Sequence, residues 1–542
     1  MDNDVRGRSP RARGLTGRVV RTLAAGSALA LLSASLTGTP ATAAAILCTS
    51  GVTGDVNGDG QAEVAVGEPG NANGAGAVHL FYGTPEGIVT DASGSALNDQ
   101  YLSQDTPGVP GAAEPDDTFG WSTALGDFNG DGCADLAVGS PGENNGRGAI
   151  TVLNGSPSGL SGTGSRTWSE NALFGPGSAL AGESFGEVLA AGDLDGDLTA
   201  DLVVGAPTEE VGDGRAGAAV MILGSPTGLT GEPGTTRRLS QATPGVPGAP
   251  EDGDGFGAAL AIGDFNGNGV GDLAVGVPGE NDIAGLVEIL PGSAATGVGA
   301  LPATAFSQNT AGVRGGSETL DRFGAALAAG DATNDTFDDL AVGAPGEDAV
   351  DPEPGFGAGA VTFLRGSATG ITVTGNQRWT QSSPGVDGVA GSADQFGFSL
   401  VMGHLDNGPT ADLAIGAPGD AIGRVREAGS VTLLLGQASG LSTVEAGGAR
   451  FHQDVGGLAG AAEPGDLFGW SVAAATVQTP DQDSLVIGVP GESAGNARDG
   501  MIHQLDTNEF GPNTVDSSTL HLNSRGVQGR PQGHDAFGFA VE

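Results

Sequence analysis

Five nine-residue segments carry oxygen-bearing side chains at alternate positions. The first two are Asp55-Val-Asn57-Gly-Asp59-Gly-Gln61-Ala-Glu63 and Asp127-Phe-Asn129-Gly-Asp131-Gly-Cys133-Ala-Asp135. The third is Asp193-Leu-Asp195-Gly-Asp197-Leu-Thr199-Ala-Asp201. The fourth is Asp264-Phe-Asn266-Gly-Asn268-Gly-Val270-Gly-Asp272, and the fifth is Asp331-Ala-Thr333-Asn-Asp335-Thr-Phe337-Asp-Asp339. Calcium takes six to eight hard oxygens at about 2.3–2.6 Å, and donors at positions 1, 3, 5, 7 and 9 wrap a tight loop round one ion. Position 7 offers its backbone carbonyl, so Gln61, Cys133, Thr199, Val270 and Phe337 can differ freely, and Cys133 need not act as a thiolate. Magnesium suits such an all-protein cage poorly, because it prefers a near-ideal octahedron that keeps several waters.

The loops grade in quality. The first two fit the pattern best, with glycine at positions 4 and 6. The third has four carboxylates but lacks the second glycine, and the fourth has two carboxylates, which predicts weaker binding. The fifth departs furthest, with Thr333 as a hydroxyl donor and Asn334 in place of glycine. A sixth equivalent, His404, Asp406, Gly408 and Asp412, keeps two carboxylates, and a seventh, Thr476, Gln478, Pro480 and Ser484, keeps none.

The elements that position these loops are read from a repeat. Phe-Gly recurs in one context at 119, 185, 256, 323, 396, 468 and 537, and Gly-x-Pro at 67, 139, 205, 276, 343, 416 and 488. Each Phe-Gly precedes the next Gly-x-Pro by 20 residues, so length variation falls outside this segment. Within a unit, Phe119–Leu125, Asp135–Gly139 and Ala149–Leu153 predict three short strands. A weaker fourth surrounds the recurrent Ser-Gln at Ser103-Gln104, Ser240-Gln241 and Ser307-Gln308. Four strands in about 70 residues read as a propeller blade, and no sustained helical period competes. The first unit lacks its Phe-Gly strand, while Phe537-Gly538-Phe539-Ala540-Val541 is a first strand with nothing after it. The sequence therefore predicts an all-β fold over residues 46–542: a seven-bladed β-propeller of four-stranded antiparallel blades. Its ring closes where the C-terminal strand completes the N-terminal blade, removing two exposed sheet edges.

Composition agrees and excludes some functions. Glycine supplies 100 of 542 residues, as tight turns and close blade packing require. Sixty-five acidic residues against 21 basic ones give −44, with no lysine, a field that repels nucleic-acid phosphates and attracts divalent cations. Residues 1–45 read as a signal peptide for the general secretory route. Six arginines precede the apolar stretch Leu23–Leu36, and Ala41-x-Ala43 is the best cleavage signal. No other apolar run is long enough to span a membrane. Cys48 and Cys133 are the two cysteines, and the sequence leaves open whether they are bonded. Asp91-Ala-Ser93-Gly-Ser95 superficially matches a metal-dependent adhesion motif, but no Rossmann-like setting for it is evident.

On the seven Phe-Gly pairs, the acid loops and Gly-Ala-Pro at 205–207, 343–345 and 416–418, the chain resembles the FG-GAP repeat family. That family forms the N-terminal propeller of integrin α-chains and the propeller part of glycosylphosphatidylinositol-specific phospholipase D. The resemblance implies Ca²⁺ in the five loops and a part in adhesion or ligand recognition. No Arg-Gly-Asp occurs, and neither an integrin leg nor the phospholipase's zinc-dependent catalytic region has a counterpart in the chain. No nucleophile elbow or His-Glu-x-x-His is present, and the six histidines lack metal-ligand spacing. The expectation is a secreted, non-enzymatic module that binds an extracellular protein or glycan through the face opposite the acid loops, with a hydrolase as the alternative.

Overall fold

The computed structural model describes residue 48 and residues 51–88, 99–232, 234–294, 296–348, 357–443, 450–479, 482–493, 498–508, 511–529 and 531–542. The proposed signal peptide and the Asp91–Ser95 motif lie outside them.

Seven antiparallel sheets follow one another along the chain. In the second blade, Thr123–Gly126, Asp135–Ser140, Ala149–Asn154 and Ser161–Trp168 pair in sequence order. The third to seventh blades repeat this meander from the inner strands Val188–Gly192, Ala259–Gly263, Ala326–Gly330, Ser399–Gly403 and Ser471–Thr479. The sixth blade splits its outer strand into Ser442–Thr443 and Arg450–Phe451. The first blade has three strands of its own, Val64–Glu68, Ala77–Phe81 and Asp99–Leu102. Its inner strand comes from the other end of the chain: Val541 bridges Val66 antiparallel, and backbone bonds join Ala540 to Gly67 and Glu542 to Ala65.

The core consists of seven apolar clusters, each built from two successive blades. One of them packs Val64, Val66 and Val541 of the first blade against Ala473, Val486 and Ile502 of the seventh. No blade could bury this surface alone, which is why the repeat closes on itself.

The constant 20-residue step has a direct physical cause. The glycine of each Phe-Gly donates its backbone N–H to the carbonyl of the Gly-x-Pro glycine in its own blade: Gly120 to Gly139, Gly324 to Gly343 and, across the termini, Gly538 to Gly67. A Cβ on that Gly-x-Pro glycine would overlap the next blade's Phe-Gly carbonyl, as Gly139 would with Gly186. Two backbones therefore meet where no side chain fits.

The sequence places Phe119-Gly120 inside the first strand, but the ladder begins at Thr123. Phe119 instead makes a parallel bridge to Gly76 of the preceding blade, and all seven phenylalanines are fully buried at such seams. Ser-Gln likewise falls just beyond the outer strands, which end at Leu102, Leu239 and Phe306. Among the described residues no helix is long and apolar enough to cross a membrane.

Candidate metal centres and the opposite seams

Four acid loops join an inner strand to the second strand of their blade, and the first leads into the equivalent strand Val64–Glu68, so all five lie on one face of the ring. The loops fold alike because their own side chains cap their own backbone. Position 1 accepts N–H groups from positions 4 to 6: Asp55 from Gly58 and Gly60 at 2.6 and 2.9 Å, Asp127 from Asp131 and Gly132 at 3.1 and 2.8 Å. Asp193 takes Gly196 and Leu198, Asp264 takes Asn268 and Gly269, and Asp331 takes Asp335 and Thr336. Position 5 then accepts the N–H of position 7 in all five, from Gln61, Cys133, Thr199, Val270 and Phe337 at 2.8–3.2 Å.

This geometry needs positive φ at positions 4 and 6. The first two loops meet it with glycine, but Leu198 (φ 70°), Asn334 (φ 53°) and Thr336 (φ 74°) adopt it as well. The departures noted in the third and fifth loops are therefore carried as backbone strain and leave the loop shape intact.

Position 9 is buried and ties the loop to the blade. Asp135, Asp201, Asp272 and Asp339 accept the N–H of Gly155, Gly224, Gly292 and Gly366, one or two residues after the third strand, at 2.8–3.0 Å. Glu63, one methylene longer, turns instead to the N–H of Val56 at 2.5 Å. At position 3, the amide nitrogens of Asn57, Asn129 and Asn266 donate to the position-9 carboxylate. Asp195 stands there in the third loop.

Burial pushes Glu63 up to about 9, Asp135 to about 8, Asp201 and Asp339 to about 7 and Asp272 to about 6, with neighbouring loop carboxylates adding to the rise in each. Asp131 and Asp195 are also raised, again chiefly by burial. Positive side chains do little to relieve this. Among the described residues Arg365, 3.6 Å from Asp335, is the one arginine paired with a loop carboxylate.

The donor set suits a hard cation, since every side-chain ligand offered is oxygen. The first and third loops gather three carboxylate oxygens within 4.8 Å: Asp55, Asp59 and Glu63, and Asp193, Asp195 and Asp197. In the fifth, Thr333 Oγ1 and Asp339 Oδ2, at positions 3 and 9, are buried, and the Thr333 hydroxyl lies against the Asp339 carboxylate. The sixth equivalent keeps the frame, with Asp412 accepting from Leu405 and Gly436, but His404 replaces the position-1 acid. In the seventh, the Thr476 carbonyl accepts the N–H of Ala62, and Ser484 is buried against Gln504.

The tie between the termini and this face is covalent. Cys48 and Cys133 are joined, with Cα atoms 4.9 Å apart across 85 residues of sequence. The bond fastens the start of the described chain to the second acid loop.

The opposite face holds a second acidic system that the sequence reading missed. Five of the Ser-Gln pairs or their equivalents present a glutamine to a carboxylate 39 residues on, in the next blade. Gln104 donates to Glu143 and Gln241 to Glu280 at 2.6 Å, Gln381 to Asp420 at 3.0 Å, and Gln308 and Gln453 to Glu347 and Glu492. Arg378 and Arg450 add ion pairs to Glu347 and Asp420. The signal was present, because these acids all stand four residues after the Gly-x-Pro glycine, but only blade contact shows what they face. In the first blade His79 lies fully buried between Glu68 and Asp99, at 3.2 and 3.1 Å. Burial would lower its pKa; the hydrogen bonds to Asp99 and Glu68 outweigh that and raise it to about 9. The histidine thus counters charge at the closure seam.

At the inner end of this face an aromatic arc runs Trp121, Phe539, Trp470, Phe398, with ring centroids 4.6, 5.6 and 4.7 Å apart. All four follow a Phe-Gly and are half-buried.

These features define a seven-bladed β-propeller, and five of its blades carry segments that match a known repeat family. Segments 49–81, 119–153, 185–220, 256–296 and 323–364 match the FG-GAP repeat. The chain is similar to integrin alpha-PS2 of Drosophila melanogaster, 33% identical over 44% of this chain and 16% of that protein. It is also similar to integrin alpha-4 of Xenopus laevis, 34% identical over 30% of this chain and 14% of the relative. Phosphatidylinositol-glycan-specific phospholipase D of Rattus norvegicus matches at 34% over 30% of this chain and 18% of that enzyme. The matched region thus spans less than a fifth of each of these relatives.

Proposed function

We propose that this chain is an exported, calcium-loaded recognition module that binds a protein or glycan through the face opposite its acid loops, without catalysis. The aromatic arc carries the reading. Half-exposed Trp and Phe rings held on rigid strand ends give large contact area at little entropic cost, and they stack on sugar rings or apolar side chains. Segments such as Thr106–Thr118 and Thr243–Gly255 surround that face, and variable loops on a rigid scaffold suit a binding role.

Ions in the five loops would be held by Asp55, Asn57, Asp59, the Gln61 carbonyl and Glu63, and by their equivalents in the other four. A bound cation supplies the positive charge that the buried position-9 carboxylates lack, so binding would couple to folding. Its role is to brace the blades.

The test is an array of extracellular proteins and glycans probed with the full chain and with Trp470→Ala and Phe539→Ala. Retained calcium-dependent melting with at least tenfold weaker binding is expected. Binding unaffected by both changes and by deletion within 106–118 sinks the assignment of this face. The similarity to phospholipase D favours a second reading, a hydrolase or hydrolase-associated propeller. Turnover of ester, phosphodiester or glycan substrates that chelator abolishes would establish it.

A further inference from the structure

One seam sets an acid against the acid. Between the second and third blades Glu170 stands where five other seams present glutamine, and 39 residues on it faces Glu209. Glu183, the acid preceding Phe185, completes the group, and one oxygen from each of the three lies within 4.8 Å of the others. Their residues are 0%, 1% and 1% exposed.

The counter-charge is insufficient. Arg238 pairs through Nη1 with Glu209 Oε1 at 2.8 Å and through Nη2 with Glu170 Oε1 at 3.0 Å. No N–H donor reaches Glu170 Oε2 or Glu209 Oε2, both sealed from solvent, and the two carboxyls lie within hydrogen-bond reach of each other. Glu183 is held in place by the N–H groups of Leu180 and Glu210. With all three carboxyls ionised against one guanidinium, the closed site carries two negative charges, and a buried charge without a partner is strongly unfavourable.

A related group shows the ordinary solution. Glu318, Asp321 and Glu347 also approach within 4.8 Å. There Gln308 and Arg378 both donate to Glu347, and Glu318 is exposed to water. Replacing the amide by Glu170 removes a donor and adds a charge.

We infer that Glu170, Glu183 and Glu209 hold one divalent cation of the calcium class at the seam between the second and third blades. Oxygens within 4.8 Å of one another fit around a single ion at 2.3–2.6 Å, and two positive charges neutralise the group. The site lies outside the nine-residue loops, on the opposite face, and does not depend on whether those loops are filled.

The experiment counts calcium per chain by elemental mass spectrometry after equilibrium dialysis of the full chain against buffered Ca²⁺. Glu170→Gln restores the amide found at the glutamine seams, and Glu209→Gln is the second variant, with near-ultraviolet circular dichroism verifying the fold of each. One ion fewer per chain is expected in both, whatever the total in the unaltered protein. An unchanged count in either folded variant overturns the site and leaves protons as what neutralises the seam. Loop occupancy is read separately, from the ions that remain in Glu170→Gln.

Discussion

The two faces of the ring handle negative charge in opposite ways. On the loop face each acidic group is assembled within nine consecutive residues, and its neighbours in sequence cap the loop without neutralising it. On the opposite face the acids Glu143, Glu280, Glu347, Asp420 and Glu492 meet a glutamine delivered across a seam, Arg378 and Arg450 add ion pairs, and His79 sits between Glu68 and Asp99. The first arrangement leaves room for an external cation; the second supplies its own partner. The seam of Glu170 is the instructive exception, because it places a loop-like charge excess in seam surroundings.

Removing divalent ions strikes the loop face and should have the largest effect. Every site held at a hundredfold its Kd contributes about 2.7 kcal/mol, so five sites together move the melting temperature by about 10–15 °C. The gain should also depend on pH. Glu63 and Asp135, raised to about 9 and 8, favour the ion-free fold while protonated. That contribution is fully present below about 4 and is lost as pH rises through 8–9. Calcium must displace those protons, so scanning calorimetry should find the calcium-induced shift larger at pH 8.5 than at pH 5.5. An equal shift at both would mean that position 9 is not engaged.

Breaking the opposite face at its closure comes next. His79→Ala leaves Glu68 and Asp99 buried without their cation and should cost about 3–5 kcal/mol. The sign is the same as for the raised loop carboxyls: His79, raised to about 9, contributes stability fully present below pH 6.5 and lost as pH rises through 9. Denaturant titrations should therefore show the penalty at pH 7 and its shrinkage at pH 10, whereas ion removal should leave it unchanged. Replacing Cys48 and Cys133 together by serine removes an 85-residue cross-link and should lower stability by about 2–4 kcal/mol. Because that bond anchors the second loop, calcium affinity there should fall as well, which calorimetric titration would register. The smallest effect is a gain. Thr336→Gly relieves a β-branched residue at φ 74° in the fifth loop and should stabilise by about 1 kcal/mol, visible as a raised melting temperature.

Phe-Gly and Gly-x-Pro were legible as repeat marks, and so was their number. Their use was not: the ladder starts four residues after Phe119, and the pair serves contact between blades. Within the acid loops the donor positions were legible, while the capping of position 1 by the loop's own N–H groups and the burial of position 9 emerged only with the fold.

What this amino-acid sequence determined alone was whatever it repeats at short range: seven blades, five nine-residue acid loops, and a terminal strand missing from one end and spare at the other. Hydrogen-bonding geometry and glycine requirements act over a few residues, so they leave a mark at fixed spacing. The tertiary structure decided the rest: the Cys48–Cys133 bond, the glutamines that meet carboxylates in the next blade, His79 between two acids, and the three glutamates with one arginine. Those depend on what lies across a seam and how far water is shut out, and burial and Coulomb energy are properties of neighbours in space.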